Sequence, residues 1–156
     1  MTNTINEMNF KVFPLTSLPD LPEFESLINL WNVTRGEALL PLWRNFLFDD
    51  LMPWIGRLAV TEYDGEEMHP VLFGGAFVEL FGQEMTGKAF FQNLSPDERD
   101  VYHKHFVKII NGPCIGHSYG TFSLFNPEPK QISVIELPLA DKEQSVSRIL
   151  HALVIK

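Results

Sequence analysis

A short run around Ser118 has the residue types and the spacing of a serine nucleophile. The sequence G-H-S-Y-G at residues 116–120 matches the G-x-S-x-G nucleophile elbow, and Asp141 and His151 follow in the order of a Ser–Asp–His triad. An elbow needs a strand before the serine and a helix after it, whereas here a helical pattern comes before and an apolar, strand-like run at 121–125 comes after. We therefore predict a glycine-flexed strand of a twisted sheet, with a hydrolase kept as the alternative.

Histidines are the next candidates, because imidazole could hold a metal ion or a haem. The candidates are His103, His105 and His117. His103 and His105 lie two residues apart on a predicted helix, so they point to different faces and cannot chelate one ion together. His103 shares a helical stripe with Arg99 and Phe106, which predicts partial burial. We expect no metal site, and the sequence identifies no cofactor.

Two carboxylates, Glu79 and Glu136, lie among apolar neighbours. Neither has a second acidic residue placed beside it by helical or strand spacing, so paired-carboxylate acid–base chemistry is unsupported. We expect both side chains at the surface or bonded to the backbone. No residue is therefore predicted to be catalytic.

The composition narrows the class of protein. A chain of 156 residues with 45% hydrophobic and 21% charged residues suits one globular domain. A net charge of −8 argues against nucleic-acid binding, which needs a basic face. The single cysteine excludes an internal disulfide and a thiol zinc site. The sequence shows no secretion signal and no apolar run near ~20 residues, so we expect a cytoplasmic protein that does not span a membrane.

The hydrophobic periodicity predicts helices first and a sheet afterwards. Residues 1–22 are polar and then proline-rich, and we interpret them as a tail. Residues 23–56 predict an aromatic-rich helical cap, one helix running from Phe24 to Leu40 and a second from Leu42 to Leu51. In residues 57–156 we expect a long helix that begins at the capping box of Ser95 and Glu98. The expected strands of that region are 58–63, 69–76, 115–125, 131–139 and 146–155. This order predicts an α+β domain with a five-stranded antiparallel sheet.

Three motifs carry a resemblance to a known fold. One strand leads into short helices separated by glycines, and residues 77–88 read F-V-E-L-F-G-Q-E-M-T-G-K. Trp31, Arg35-Gly36 and Pro41 precede this stretch, and the chain closes on E-L-P-L at residues 136–139. The pattern resembles the PAS fold and, more narrowly, a bacterial family of single-domain PAS proteins.

This resemblance covers about residues 24–155. It departs on the strand before the glycines, where relatives commonly carry an arginine and this chain has P-V-L-F at residues 70–73. The resemblance implies a non-catalytic sensory or interaction module of bacterial signal transduction. It also implies that any output passes through a partner, such as a histidine kinase or regulator.

In PAS-like folds a cavity lies between the inner face of the sheet and the helices across it. The candidates for its lining are Leu72, Phe77, Phe90, His103, Phe106, Tyr119 and Phe122. An aromatic wall with a few polar tips suits a flat or hydrophobic ligand of modest size. The alternative is that the phenylalanines, 13 in this chain, fill the space themselves.

The helical cap holds more apolar side chains than the covering of a sheet requires. We therefore predict a homodimer through residues 23–56, with Trp31 or Trp43 near the centre of the contact, although packing within the chain also explains these tryptophans.

Two other functions stay open. One is an enzyme, either a hydrolase at residues 116–120 or a thioesterase with a hot-dog-like fold. The other is a structural adaptor with a filled core and no ligand.

Overall fold

The structure, a computed structural model, describes residues 7–123, 128–141, 143 and 145–156. Within these residues, six strands form one antiparallel sheet in the order β1-β4-β5-β6-β2-β3. The strands are β1 Glu7–Pro14, β2 Leu58–Tyr63, β3 Met68–Phe73, β4 Cys114–Phe122, β5 Lys130–Ala140 and β6 Val146–Ile155. The α-helices are α1 Glu25–Arg35, α2 Phe48–Leu51, α3 Gly75–Phe81 and α4 Pro96–Asn111. The predicted α+β class is confirmed.

The sixth strand, β1, is the main correction to the expected sheet of five. It lies within the region that we interpreted as a tail and pairs with β4, so that Phe10 is opposite Ser118. The run E-M-N-F-K-V alternates polar and apolar residues, which is a strand signal that the nearby prolines obscured. The domain boundary at residue 56 stays a prediction.

Several element boundaries follow from local backbone chemistry. Helix α4 begins where expected, since the Ser95 hydroxyl accepts a hydrogen bond from the Glu98 amide. Strand β3 ends at Phe73 rather than residue 76, because α3 begins at Gly75. Helix α1 stops at Arg35 instead of Leu40 because Gly36 takes a positive φ of 57°. The second predicted helix of the cap is also shorter, and consists of a 3₁₀ turn at residues 43–45 followed by α2.

The early and late motifs of the sequence meet in space. The Trp31 indole N–H donates to the Pro138 carbonyl at 2.9 Å, across 107 residues of chain. The Ala140 amide donates to the Pro41 carbonyl. The Arg35 guanidinium lies 4.7 Å from the Trp31 ring centre. These contacts join the cap to β5, so both motifs have a structural role.

The sheet is buried on both sides, and its two faces have separate cores. We call the side that packs against residues 22–57 the cap face; on β5 it carries Ile135, Leu137 and Leu139. We call the side that packs against α3 and α4 the α4 face; on β5 it carries Ile132, Val134 and Glu136. Alternation along a strand separates the two sets.

The glycine-rich motif after α3 covers one edge of the sheet. Gly82 and Gly87 take positive φ angles of 75° and 80°, which turn the chain back along β3. The Gly87 amide then donates to the Pro70 carbonyl, and the Phe90 amide donates to the Met68 carbonyl. Among the described residues, no helix is both long enough and apolar enough to cross a membrane.

Candidate functional site

The seven residues predicted to line one cavity are divided among three places. Four of them share the core of the α4 face: Phe77, Phe90, Phe106 and Phe122. Leu72 packs into the core of the cap face instead, and Tyr119 stacks on His117 of that face at 4.7 Å. Both lie one residue out of step with the inner face, and a step of one residue along a strand reverses the direction of the side chain. His103 is exposed rather than partly buried.

The aromatic core of the α4 face is filled. Phe81 and Phe90 stack with ring centres 5.2 Å apart, and Phe90 lies 6.4 Å from Phe106. The cavity left between these rings and β4, β5 and β6 measures about 30 Å³. That volume suits a water molecule and no larger ligand. In this structure the phenylalanines occupy the predicted cavity themselves.

An open groove of about 310 Å³ lies beside this core, between the β2–β3 hairpin and the start of α4. Its apolar floor consists of Met68, Ala89, Phe90, Phe91, Pro96 and Phe106. Its polar rim consists of Glu66, Glu67, Gln92, Arg99, Asp100 and His103. Three of the predicted residues therefore do meet at one site, with the Phe90 and Phe106 rings below and His103 above.

The hairpin side of the groove is shaped by Asp64. Its carboxylate accepts the backbone amides of Glu67 and Glu66, each at 2.8 Å, and contacts His69 Nε2 at 2.7 Å. These bonds, the one from the Glu67 amide first, hold the pKa of Asp64 at about 2. At neutral pH Asp64 is therefore charged and keeps the two glutamates at the rim.

A buried polar cluster joins α4 to the sheet. Glu136 is only 1% exposed and His105 only 4%. His105 Nε2 lies 2.7 Å from Glu136 Oε1, and the Ser118 hydroxyl donates to Glu136 Oε2 at 2.8 Å. Our expectation that Glu136 is at the surface or bonded to the backbone is wrong, since its partners are side chains from α4 and β4.

Gly116 makes this approach of helix and sheet geometrically feasible. A Cβ atom there would lie 2.4 Å from Ile109 Cδ1, 2.6 Å from Glu136 Oε1 and 2.9 Å from His105 Nε2. Only glycine leaves room for the hydrogen-bonded pair of His105 and Glu136 at this height above β4. One glycine of the G-x-S-x-G run is therefore explained by packing.

The remaining members of the suspected triad are engaged elsewhere. His151 is buried and its Nε2 lies 2.7 Å from the Thr61 hydroxyl. Burial, and secondarily the charge of His105, lowers the pKa of His151 to about 3. Asp141 accepts the amides of Glu143 and Ser145 and so closes a turn. Ser118, Asp141 and His151 therefore do not form a triad, and β4 continues as a strand.

The histidines also separate as metal ligands. As the helical spacing predicted, His103 and His105 lie on different faces of α4; the buried one is His105, and His103, for which we expected partial burial, is exposed. His117 lies on the cap face, where its Nε2 is 2.8 Å from the Ser133 hydroxyl. Within the described residues, no three His, Cys, Asp or Glu side chains are grouped so as to hold a metal ion.

Sequence reasoning missed the partnership of His105 with Glu136. A signal for this contact was available in β5. From Ile132 to Ala140, every residue other than Ser133 and Glu136 is apolar. A charged side chain that is buried in such a strand needs a hydrogen-bonding or ionic partner, because burying it without one costs a large amount of free energy. The partner lies 31 residues away along the chain, and periodicity does not specify it.

The fold has clear structural relatives, although no family model and no curated protein matches the sequence. An RNA-binding light-oxygen-voltage receptor aligns over 96% of this chain and 38% of its own, with a TM-score of 0.52 at 11% identity. The LOV protein of Rhodobacter sphaeroides aligns over 64% and 58%, with a TM-score of 0.51 at 14% identity. The LOV domain of the blue-light photoreceptor Aureochrome1 aligns over 70% and 88%, with a TM-score of 0.52 at 13% identity.

Light-oxygen-voltage domains belong to the PAS family, so these likenesses show a PAS-like fold, in agreement with the resemblance of the motifs. This chain spans 38% and 58% of the first two proteins, which is less than two thirds of each. At such low identity the likeness concerns the fold alone.

Proposed function

We propose that this chain is a non-catalytic sensory and interaction module of bacterial signal transduction, working in the cytoplasm through a partner such as a histidine kinase or regulator. The PAS-like fold supports this role. The hydrogen bonds of the two residues suspected of catalysis also support it. The Ser118 hydroxyl donates to Glu136, and His151 is hydrogen-bonded to Thr61. The RNA binding and light sensing named for the neighbours are not part of the proposal.

The observation that carries the sensory proposal is the groove of about 310 Å³ over Phe90 and Phe106. Both rings belong to the floor of the groove and to the core of the α4 face, so a ligand in the groove would press directly on that core. An apolar floor with charges of both signs at the rim suits a small aromatic or hydrophobic molecule with one polar end. Arg99 and His103 would receive that end.

The test uses anilinonaphthalene sulfonate, an aromatic anion that brightens in apolar sites. We expect saturable binding at one site. Ala89→Trp should fill the groove and weaken binding by about tenfold or more, while the core rings stay in place. Val71→Trp is the control, since Val71 is exposed on β3 and does not line the groove. Equal binding by both variants would contradict the groove proposal, and native mass spectrometry of fresh protein would identify a natural ligand.

The adaptor is the second candidate, and the filled core favours it. A cavity of about 30 Å³ leaves the interior no room for a small molecule. If the groove is also empty in native mass spectrometry and binds no probe, the module acts by contact alone.

We also propose self-association through residues 23–56. The cap exposes large apolar side chains: Val33, Leu39, Leu47, Phe48 and Met52. Trp31 is fully buried within its own chain, so the expectation that it sits at the centre of an interface is wrong, whereas Trp43 is only partly buried. Phe48→Glu should lower the dimer fraction in sedimentation, and Val71→Glu is the control. A wild-type monomer at tens of micromolar would overturn the proposal.

A further inference from the structure

The two edge strands of the sheet, β3 and β1, differ in how their outer backbone groups are covered. Two carbonyls of β3, those of Pro70 and Met68, accept hydrogen bonds from the amides of Gly87 and Phe90, and Pro70 removes one amide donor from that strand. Strand β1 pairs with β4 on its inner side, and in the described part of the chain no segment pairs with its outer side. An uncovered edge offers alternate N–H and C=O groups to another strand.

A groove of about 260 Å³ runs along this open edge, between β1 and α4. The Phe10 ring forms its base and packs on Tyr102 and His105, with ring centres 5.0 and 4.9 Å away. Val12 and Val101 line the groove and are 43% and 48% exposed. The open edge therefore lies next to exposed apolar surface.

The charge of this groove is opposite to that of the whole protein. Lys104 and Lys108 of α4 line it, although the net charge of the chain is −8; Lys11 also borders it, but its ammonium lies 5.6 Å from the Tyr119 ring centre on the cap face. Lys104 pairs with Asp100 at 2.9 Å on the exposed surface of α4. Among the described residues neither Lys11 nor Lys108 has a carboxylate within ion-pairing distance.

We propose that this groove binds an extended acidic segment of a partner protein, which pairs with β1 as a seventh strand. Backbone hydrogen bonds to an edge strand supply affinity, and alternate side chains supply specificity. The carboxylates of the segment would face α4 and meet Lys104 and Lys108, and the apolar side chains that alternate with them would point to the opposite face of the sheet. The lysines argue against a second copy here, because pairing β1 with itself brings two sets of positive charge together. This proposal goes beyond the sensory role and specifies the chemistry of the partner.

The experiment measures fluorescence anisotropy of a labelled peptide of alternating Glu and Val, eight residues long like β1. We expect wild-type protein to bind it, more weakly as salt increases. Lys104→Glu with Lys108→Glu should weaken binding by about tenfold or more. The control pair, Arg44→Glu with Lys88→Glu, makes the same charge change at exposed positions outside the groove and should bind like wild type.

Two further peptides separate the parts of the proposal. A peptide with an N-methyl group on every residue cannot donate to the ladder and should not bind; if it binds equally, strand addition is wrong. A Gln–Val peptide should bind weakly; if it binds as well as the Glu–Val peptide, or if both lysine pairs behave alike, the acidic partner is wrong. Wild-type self-association that is strengthened by Lys104→Glu would assign the edge to a second copy and overturn the proposal. Probe binding at the groove over Phe90 is a separate measurement, so the two proposals fail independently.

Discussion

The two faces of the sheet differ in what they bury. The cap face is mainly aliphatic and aromatic, and the indole of Trp31 is bonded to the Pro138 carbonyl. The α4 face buries a carboxylate and two histidines, keeps a small cavity, and borders an open groove. On β5 the contrast separates neighbours, since Leu137 faces the cap and Glu136 faces α4. One sheet thus combines a structural side with a side that holds a buried polar cluster and borders a groove.

Trp31→Ala should produce one of the two largest losses of stability, and it tests whether the cap face is structural. We expect a fall of about 3–5 kcal/mol in the free energy of unfolding, from the cavity and from the unpaired Pro138 carbonyl. Urea unfolding measures it. Trp31→Phe retains most of the volume and should lose about 1–3 kcal/mol, the cost of the unpaired carbonyl. Probe binding by the folded protein should not change, and if it does, the two faces are not separate.

Glu136→Ala tests the α4 face in the same way. Removing the carboxylate leaves buried His105 without its partner, and we expect a loss of about 3–5 kcal/mol in urea unfolding. Replacing both residues, His105→Leu with Glu136→Leu, should lower the free energy of unfolding by less than the single change does. An apolar pair places no charged or polar group in the core, so no such group has to be removed from water. Additive losses would mean that the two side chains are not coupled, against the 2.7 Å contact.

Gly116→Ala should have a smaller effect, about 1–3 kcal/mol of destabilisation, since its Cβ would collide with Ile109 and Glu136. Gly75→Ala is the matched control. No heavy atom lies within 4 Å of a Cβ there, so we expect about 0.4–1 kcal/mol of stabilisation. Thermal and urea unfolding distinguish the two signs. A neutral Gly116→Ala would show that α4 can move away from the sheet at little cost.

Acid should affect the protein gradually, through His151. In the unfolded chain this ring takes up a proton near pH 6.5, whereas burial lowers its pKa to about 3 in the folded protein. Its contribution to stability is therefore complete above pH 6.5 and is lost as the pH falls toward 3. The slope is at most about 1.4 kcal/mol per pH unit for one proton. The lowered pKa of His117 acts in the same direction.

His151→Gln should flatten this dependence in urea unfolding between neutral and mildly acidic pH. The side-chain amide of the variant can still hydrogen-bond Thr61. A difference in stability between wild type and variant at low pH therefore reports protonation of His151 and not the loss of this hydrogen bond. Identical slopes for wild type and variant would contradict the assignment.

The sequence predicts the elements with strong local signals, and it fails where partners are distant. The Ser95 capping box and β2 and β6 were placed correctly because each is specified by neighbouring residues. The edge strand β1 was missed, because nearby prolines obscured its alternation and its β4 partners lie a hundred or more positions away. At the site, helical spacing correctly separated His103 from His105. Helical spacing does not reveal that Glu136 is hydrogen-bonded to His105. It also does not show that the phenylalanines leave a groove beside the core instead of a cavity within it.

The bond between Trp31 and Pro138 also determines when the N-terminal part of the chain can become stable. Synthesis proceeds from the N-terminus, so α1 is made well before β5, and the Trp31 indole lacks its native hydrogen-bond acceptor until residue 138 has left the ribosome. Short helices in isolation are marginal in water. This contact therefore forms well after α1 has been made, and the apolar stripe of α1 lacks its β5 neighbours until then.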